Sequence, residues 1–409
     1  TDQFGLRNAD IDVTFTSLRM GYQVDPEEQP ITLNRNVSQR DIDYDDLTRT
    51  HKVVIDVLAG HIDRDQARQE VARISSTGHW VPRWGVVVGS GVTGGGVAML
   101  LGAGVLITAV AALASLVIEV MLRELRRRRL PMFYRQLAGG MFASLLAVGI
   151  AAVDPDTNPS RLITATIVLL LAGIGFMGAI QDALSGFYLT SSARMLEVVM
   201  ATIGLIAGVA IGIALAPMVG VSLGPVQPGA YGLADAPVLL LGSAISGAAF
   251  AFTSYAPPRS LVVIAFLAAL GEAVYTSIQL PGLSRSWSAG CAAFVIGLLS
   301  YSLAGRVKVP PLVVVVPALV PILPGLSIYR ALSLMAANES RGVVALVGAA
   351  AVTISLAAGV ILGEYLAQPL KRNARKIENR LSGPRMVGVL HGQWRRPGGR
   401  REDRSSAET

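Results

Sequence analysis

From residue 84 onward the chain is a succession of long apolar stretches. Residues 84–122, 136–153, 162–180, 195–216 and most of 236–366 hold almost no charge. Several reach the ~20 residues that an α-helix needs to cross the hydrocarbon of a bilayer. The pattern predicts ten spans, near 84–101, 104–122, 137–153, 161–180, 195–216, 236–254, 260–279, 286–304, 310–331 and 343–366. Before residue 84 the period changes. IDVTFTSLRMGYQ (11–23) alternates as a strand does, with Val13, Phe15 and Ser17 on one face, and ITLNRNV (31–37) is a candidate partner. Residues 43–76 read as two amphipathic helices. Leu47, Val54 and Leu58 form the apolar face of the first and Gly60 ends it; Asp63 caps the second, where Ala67, Val71 and Ile74 recur at helical spacing. The predicted fold class is an all-α polytopic membrane protein of about ten transmembrane helices, with a small α+β cytoplasmic N-terminal domain. The division is 1–80 for that domain, 81–216 and 236–367 for two membrane halves, and 368–409 for a basic tail.

Composition agrees with this pattern. The chain is 52% hydrophobic and 15% charged, with a mean hydropathy of +0.52, too apolar and too poor in charge to cover a large soluble surface. The net charge of +7 is concentrated in the tail, where residues 371–409 hold 11 Lys+Arg against 4 Asp+Glu. A basic tail after the last span suits anionic lipids at the cytoplasmic leaflet. No folded basic module accompanies it, so no nucleic-acid partner is expected. Basic residues also set the orientation. With 1–80 inside, the arginine-rich RELRRRRLPMFYR (123–135), Arg194, Arg259, Arg306, Lys308 and the tail all fall inside, while the outer loops are nearly free of basic charge. Residues are expected to precede Thr1, and no signal peptide is seen in the first 80. A single cysteine, Cys291, and four scattered histidines give no metal-ligand spacing. No phosphate loop or nucleophile triad occurs, and the glycines of GSGVTGGGVAMLLGAG (89–104) read as helix packing. No metal or other cofactor is expected, and energy must come from an ion gradient or the substrate gradient.

The chain carries an internal repeat. Offset by 148 residues, LVPILPGLSIYRALS (319–333) lies over LAGIGFMGAIQDALS (171–185), with Gly173 over Pro321. Each segment is the fourth span of a five-span half, so the halves have opposite orientations: two five-span inverted repeats, an architecture of secondary transporters. Pro317, Pro321 and Pro324 remove amide donors and free carbonyls. Such groups cost several kcal/mol in hydrocarbon unless protein or water satisfies them, so a broken span is tolerated where it lines a cavity. A proline kink is also a common structural device. On the site reading, backbone near Gly173, Gly175 and Gly178 and near Pro321, Pro324, Gly325 and Ser327 holds the charged ends of a small zwitterion, with Ser327 or Tyr329 on its hydroxyl.

Ionisable residues within apolar runs are functional candidates because burying their charge is costly. Glu119 and Glu272 occupy equivalent places in the two halves. Glu119 is near the arginine-rich edge and can pair with Arg123 at i,i+4. Glu272 is deeper and has no sequence neighbour to pair with; it is either a proton carrier or a buried interhelical hydrogen-bonding group. Asp182 follows the first broken segment, with Arg330 opposite it at the 148-residue offset, and Arg194 and Glu197 share a helix face.

With these residues in view, the chain resembles the bacterial threonine/serine exporter family, particularly its actinobacterial members. DVTFTSLRMGY (12–22), AGHIDRDQAR (59–68), GFMGAIQDALSGFYLTSSARMLE (175–197) and VPPLVVVVPALVPILPGLSIYRAL (309–332) carry the resemblance over nearly the whole chain. It implies ten spans and export of L-threonine and L-serine in exchange for protons. It also marks Asp182, Gly186, Arg194, Glu197, Pro321, Pro324, Gly325 and Tyr329. Where many members have Pro-Gly in the first half, this sequence has Ala172-Gly173, and a helix that members carry before DVTFTS is not in it. The expected function is a non-enzymatic, proton-coupled antiporter working by alternating access at the plasma membrane. Transport of another small carboxylate, a channel, and a receptor or scaffold are the alternatives, and a homo-oligomer is left open.

Overall fold

The computed structural model describes residues 9–23, 29–37, 41–153, 162–163, 166–167, 170, 173–220, 236–279, 283–336 and 339–367. The basic tail, Ala172 and about a third of the expected span at 161–180 lie outside them.

The N-terminal segment forms an antiparallel sheet in the order β1 (Ala9–Val13), β2 (Ser17–Tyr22), β3 (Ile31–Asn36). Residues 11–23, expected as one strand, are therefore a hairpin. Thr14 turns the chain, its N–H donating to the Ser17 carbonyl at 2.9 Å and its hydroxyl lying 2.8 Å from that of Ser17. Phe15 sits in the turn instead of beside Val13. Two helices follow, α1 (Tyr44–Leu58) and α2 (Arg64–Ser76). Asp43 caps α1 by accepting from the Asp46 N–H at 3.0 Å, and Asp63 and Gln66 form a reciprocal capping box on α2. Gly60, at φ +75°, follows α1 as expected. The expected apolar faces are not the buried ones. α1 buries Tyr44, Asp45, Thr48 and Val53 while Leu47 and Val54 stay exposed, and α2 buries none of its residues. The reason is tertiary: α1 is held by its first turn against the membrane helices.

Those helices are α3 (Arg83–Leu100), α4 (Val105–Arg127), α5 (Met132–Val153), α6 (Gly173–Leu184), α7 (Tyr188–Ala214), α8 (Ala236–Thr253), α9 (Pro258–Gln279), α10 (Arg285–Arg306), α11 (Pro311–Leu319), α12 (Gly325–Ala336) and α13 (Arg341–Ala367). Among the described residues, seven are long and apolar enough to cross a membrane: α4, α5, α7, α8, α9, α10 and α13. An eighth span forms if the pair α11–α12, bent by 50°, counts as one. Ten were expected. The glycines and Arg83 of α3 dilute its apolarity, and the expected span at 161–180 is described only in pieces, the longest beginning at Gly173.

The helix boundaries repeat. α3 starts at 83 and α8 at 236, α4 at 105 and α9 at 258, α5 at 132 and α10 at 285, α7 at 188 and α13 at 341: a constant offset of 153. The offset of 148 read from the sequence is therefore corrected to 153, which puts Gly173 over Leu326 instead of Pro321 and Arg330 over Met177 instead of Asp182. Both broken segments are rich in Leu, Ile and Ala, so identities recur in the wrong register too. Even the helix ends correspond. After α3, Ala103 N–H donates to the Ala98 carbonyl at 3.0 Å; after α8, Ala256 N–H donates to Ala251 at 2.9 Å. Between them Gly102 and Tyr255 take the same left-handed conformation, φ +66° and +61°.

Close approach of backbones holds the bundle together. α3 and α8 run antiparallel, Gly89 meeting Phe252 and Thr253, and Gly96 meeting Gly242 and Ser246. A Cβ on Gly96 would lie 2.9 Å from the Ser246 nitrogen, and one on Gly242 would lie 2.8 Å from the Gly96 carbonyl oxygen. α5 packs on α7 in the same way through Gly204 and Gly208, and α10 on α13 through Gly297, Gly359 and Gly363.

The N-terminal segment is clamped onto both helix sets. Tyr44 is buried in a cluster with Ala251, Ala256 and Val309, and its N–H donates to the Ser254 carbonyl at 2.9 Å. The His79 ring stacks on Tyr255 at 4.1 Å and lies 3.2 Å from the Asp43 carboxylate. At the first set, Arg126 approaches Asp41 at 3.9 Å and the Arg194 guanidinium lies 5.7 Å from the Phe15 ring centre.

Two predictions follow from packing and charge. Gly96→Ala forces backbone apart and should cost about 1–3 kcal/mol, read as a lower unfolding midpoint in detergent. Gly149→Ala, where a Cβ meets nothing within 4 Å, should leave the midpoint unchanged or raise it. The second concerns Asp46, whose carboxyl is pushed above the ordinary carboxylate range by burial and then by the Asp43 carboxylate. A raised pKa favours the clamped state at low pH, and that contribution is lost as pH rises through the raised value. Asp46→Asn removes the charge and keeps the N–H that meets Asp43. It should slow limited proteolysis of the N-terminal segment at neutral pH, the difference from wild type closing below about pH 4.

Candidate functional site

The site begins with the prolines. Pro317 lies inside α11, Pro321 in the short 3-10 turn Val320–Ile322, and Pro324 immediately before α12. None can donate to the carbonyl four residues back, so the helix cannot continue. Local bonds recover part of the loss. Val320 N–H donates to the Pro317 carbonyl, Leu323 N–H to Val320 at 3.4 Å, and α12 restarts with Ile328 N–H on Pro324 at 3.0 Å. Gly247 of α8 brings its backbone against the break, since a Cβ there would lie 3.1 Å from the Pro317 carbonyl oxygen.

The other broken segment meets this one head to head. A Cβ on Gly173, the first residue of α6, would lie 3.2 Å from the Leu323 Cβ and 3.3 Å from the Gly325 nitrogen. Gly173 and Gly325, where the described α6 and α12 begin, therefore converge, and a helix N-terminus carries a partial positive charge. They open onto a cavity of about 280 Å³. Its polar lining comes from Thr93 of α3, Glu272 and Tyr275 of α9, Arg285 of α10 and Ser327 of α12; Val97, Leu100, Leu101 and Phe250 are among its apolar walls. Glu272 is 8% exposed, and the Thr276 hydroxyl donates to its backbone carbonyl at 2.8 Å while standing 3.4 Å from its carboxylate. The size suits a small ligand, below the ~300 Å³ at which pockets for drug-sized molecules begin.

Of the residues singled out from the sequence, Gly173, Pro321, Pro324, Gly325, Ser327 and Glu272 line this cavity. The rest do not. Gly175 packs on Val198 and Gly178 on the Arg194 guanidinium. Tyr329 is buried in a cluster with Ile118, Leu162, Ile167 and Leu205, and so joins the second set of helices to the first. Arg330 follows it on α12. Asp182 and Arg194 come together as an ion pair at 3.2 Å, beneath the Phe15 hairpin, and Glu197 lies one turn further along α7. Glu119 is paired with Arg123 at 2.7 Å and Arg126 at 3.1 Å, and Arg123 also donates to the Arg83 carbonyl at 2.8 Å.

Glu119 and Glu272 correspond at the 153-residue offset, and Arg123 and Arg126 correspond to Thr276 and Gln279. One acid is neutralised by two arginines; the other has a hydroxyl and a cavity. Sequence reasoning missed Tyr275, Thr93 and Arg285. Arg285 left one signal: a lone cation opening an apolar helix just after the helix that carries an intramembrane acid. Among the described residues one group has metal-ligand composition, Asp43, Asp46 and His79, with ligand atoms within 4.8 Å. It lies in the clamp, where Asp43 caps α1 and His79 stacks on Tyr255.

Comparison with known proteins bears directly on this site. A family model described as "Putative threonine/serine exporter" matches residues 1–216, and one described as "Threonine/Serine exporter, ThrE" matches residues 239–366. The "Probable threonine/serine exporter" of Mycobacterium tuberculosis (strain ATCC 25618 / H37Rv) is 32% identical over 93% of this chain and 74% of its own length. The "Threonine/serine exporter" of Corynebacterium glutamicum is 30% identical over 92% of this chain and 78% of its own. No solved structure matches the chain. Matched in both halves and along nearly its whole length, the chain belongs to the threonine/serine exporter family, and is a polytopic membrane protein of the secondary-transporter type.

Proposed function

We propose that this chain exports L-threonine, L-serine or a similar small zwitterion in exchange for protons. The observation that carries the reading is the convergence of the α6 and α12 N-termini, at Gly173 and Gly325, on a cavity that also holds Glu272. Half-helix N-termini recognise carboxylates through free N–H groups and the helix dipole. The substrate carboxylate is assigned to these amides, its ammonium to the side of Glu272, and its hydroxyl to Ser327. The ten spans form two inverted five-span halves, 81–216 and 236–367, and the substrate crosses by alternating access between them. The clamped N-terminal segment and the basic tail are assigned to the cytoplasm, because Arg126–Arg129, Arg194, Arg259, Arg306 and Lys308 lie towards the clamped face. The cavity lining instead reaches Leu101 and Arg285, at the opposite helix ends, which makes this conformation open towards the outside.

Glu272 is the proposed proton carrier. It is the acid in the cavity lining, whereas Asp182 is engaged by Arg194 and Glu119 by two arginines. A buried carboxylate without a cationic partner exchanges its proton more cheaply than one held in an ion pair. Substrate and proton would compete for the same group, which is the simplest route to antiport.

The test uses purified protein in proteoliposomes preloaded with labelled L-threonine or L-serine. Saturable efflux that falls when an ionophore collapses the proton gradient is the expected result. Efflux indifferent to the gradient would leave a facilitator, and no flux of either amino acid from folded protein would remove the substrate assignment. Glu272→Gln is expected to lower gradient-driven efflux at least about tenfold while substrate exchange at equal pH persists. Asp182→Asn should retain the response to the gradient. Unchanged pH dependence in Glu272→Gln would sink its role as carrier.

A further inference from the structure

We propose that Arg285 forms a second, outer station for the substrate carboxylate, distinct from the helix N-termini at the break and occupied as the amino acid leaves. The inference rests on the transport reading above and concerns the path out of the same cavity.

Depth along α10 separates the two stations. Gly271, next to Glu272, packs on Ile296 of α10 and on Ile322 of the broken segment, so Ile296 lies level with the break. Arg285 is eleven residues before Ile296 on the same helix, about 16 Å along its axis at 1.5 Å per residue. Arg285 lines the cavity nonetheless, and Leu101 at the end of α3 lines it too. The space thus runs from the break to the mouth and is longer than one small amino acid. A ligand held by the α12 amides is out of reach of the Arg285 backbone and meets the guanidinium only by moving outward.

Charge indicates what that station binds. Among the described residues no carboxylate lies within 4 Å of Arg285, although arginines at the other face are paired with Glu119, Glu124, Asp41 and Asp182. The cavity's own acid, Glu272, lies on α9 seven residues before its end, about 10 Å in from the mouth. A guanidinium without an ion-pair partner at the wet end of a cavity presents its planar fork to a planar anion, and a carboxylate fits it in two hydrogen bonds. Tyr275 lines the cavity one turn above Glu272, between acid and mouth. The sequence of charges from the inside out is helix N-termini, Glu272, Arg285: positive, negative, positive. A zwitterion can pass along it by exchanging the partner of its carboxylate while its ammonium stays near Glu272. Arg285 is a positioning residue for release, and for binding from the outer side.

The experiment measures half-saturation from each side in proteoliposomes of known orientation, using L-threonine exchange. Arg285→Gln is expected to raise the outer half-saturation concentration about tenfold, the loss of roughly one charge-assisted hydrogen bond, and to leave the inner value within twofold. Arg285→Lys should recover most of the outer affinity. Added salt should weaken outer binding in wild type and not in Arg285→Gln. L-threoninamide, which lacks the carboxylate, should compete equally poorly from outside with both. An outer value unmoved in Arg285→Gln, or inner and outer values raised alike, would overturn the outer station. Either result would leave the export reading intact, since only wild-type protein that moves no amino acid removes that.

Discussion

Every part of this molecule answers to one constraint: a backbone N–H or C=O in hydrocarbon must find a partner within the protein. The membrane segments are helices for that reason, and their glycines let helix backbones approach closely enough to exclude lipid. The same constraint decides where helices can stop. The interruption between α11 and α12 is enclosed by Gly247 on one side and Gly173 on another, with local turn bonds on Pro317 and Val320. A side chain at Gly247 or Gly173 would push packed backbone away from groups that need cover. The first residues of α6 and α12, Gly173 and Gly325, line the cavity, where a ligand or water can meet backbone. Breaks, glycines and binding site are thus three consequences of one requirement.

Much of this was legible in the sequence because hydrocarbon imposes a strong pattern. Long apolar runs gave most of the helices, and Gly60 and Asp63 marked ends of the small helices by local chemistry. The repeat was legible, but its register was not. The broken segments are so rich in Leu, Ile and Ala that identities recur at 148, where no helix boundaries coincide. Only the shared boundaries, such as α7 and α13 with 27 residues each, separate that register from 153. The face of α1 was misread for a different reason. Tyr44 is buried by Ala251 and Ala256, residues two hundred positions away, and no periodicity within α1 carries that information. Arg285 escaped because a single arginine at the start of a span normally anchors it at the interface. It acquires meaning only when α3, α9 and the broken segment are seen around the same space.

The clamp constrains how the two helix sets can move. Phe15 and Asp41 rest on arginines of the first set, while Tyr44 and His79 grip the turn after α8 in the second. Tyr255, in that turn, holds a left-handed conformation that its counterpart Gly102 adopts without penalty. The stack on His79 helps to offset that cost. A rearrangement that carries Arg194 away from Tyr255 must release one grip or tilt the whole segment, so in the proposed cycle the clamp would move with the helix sets.

The two acids show why such a cycle has a preferred resting state. Glu119 and Glu272 stand at equivalent places in the two sets, and in two identical halves they would have equal surroundings. Their neighbours one and two turns on differ: Arg123 and Arg126 in one set, Thr276 and Gln279 in the other. The first set can therefore close over its acid with charge-assisted bonds, and it does, at 2.7 and 3.1 Å. The second set offers its acid hydroxyl neighbours, Thr276 of its own helix and Ser243 of α8, beside a cavity. Half-buried ion pairs are worth more than exposed ones because less water screens them. This asymmetry at four side chains would, in the proposed cycle, favour closure on the clamped face and openness opposite. In the proposed cycle, substrate entering from the clamped side must first compete with arginines for Glu119, whereas on the other side it meets an acid already exposed to the cavity. A threefold difference in access between the two faces needs only about 0.65 kcal/mol, RT ln 3, within what one such pair supplies.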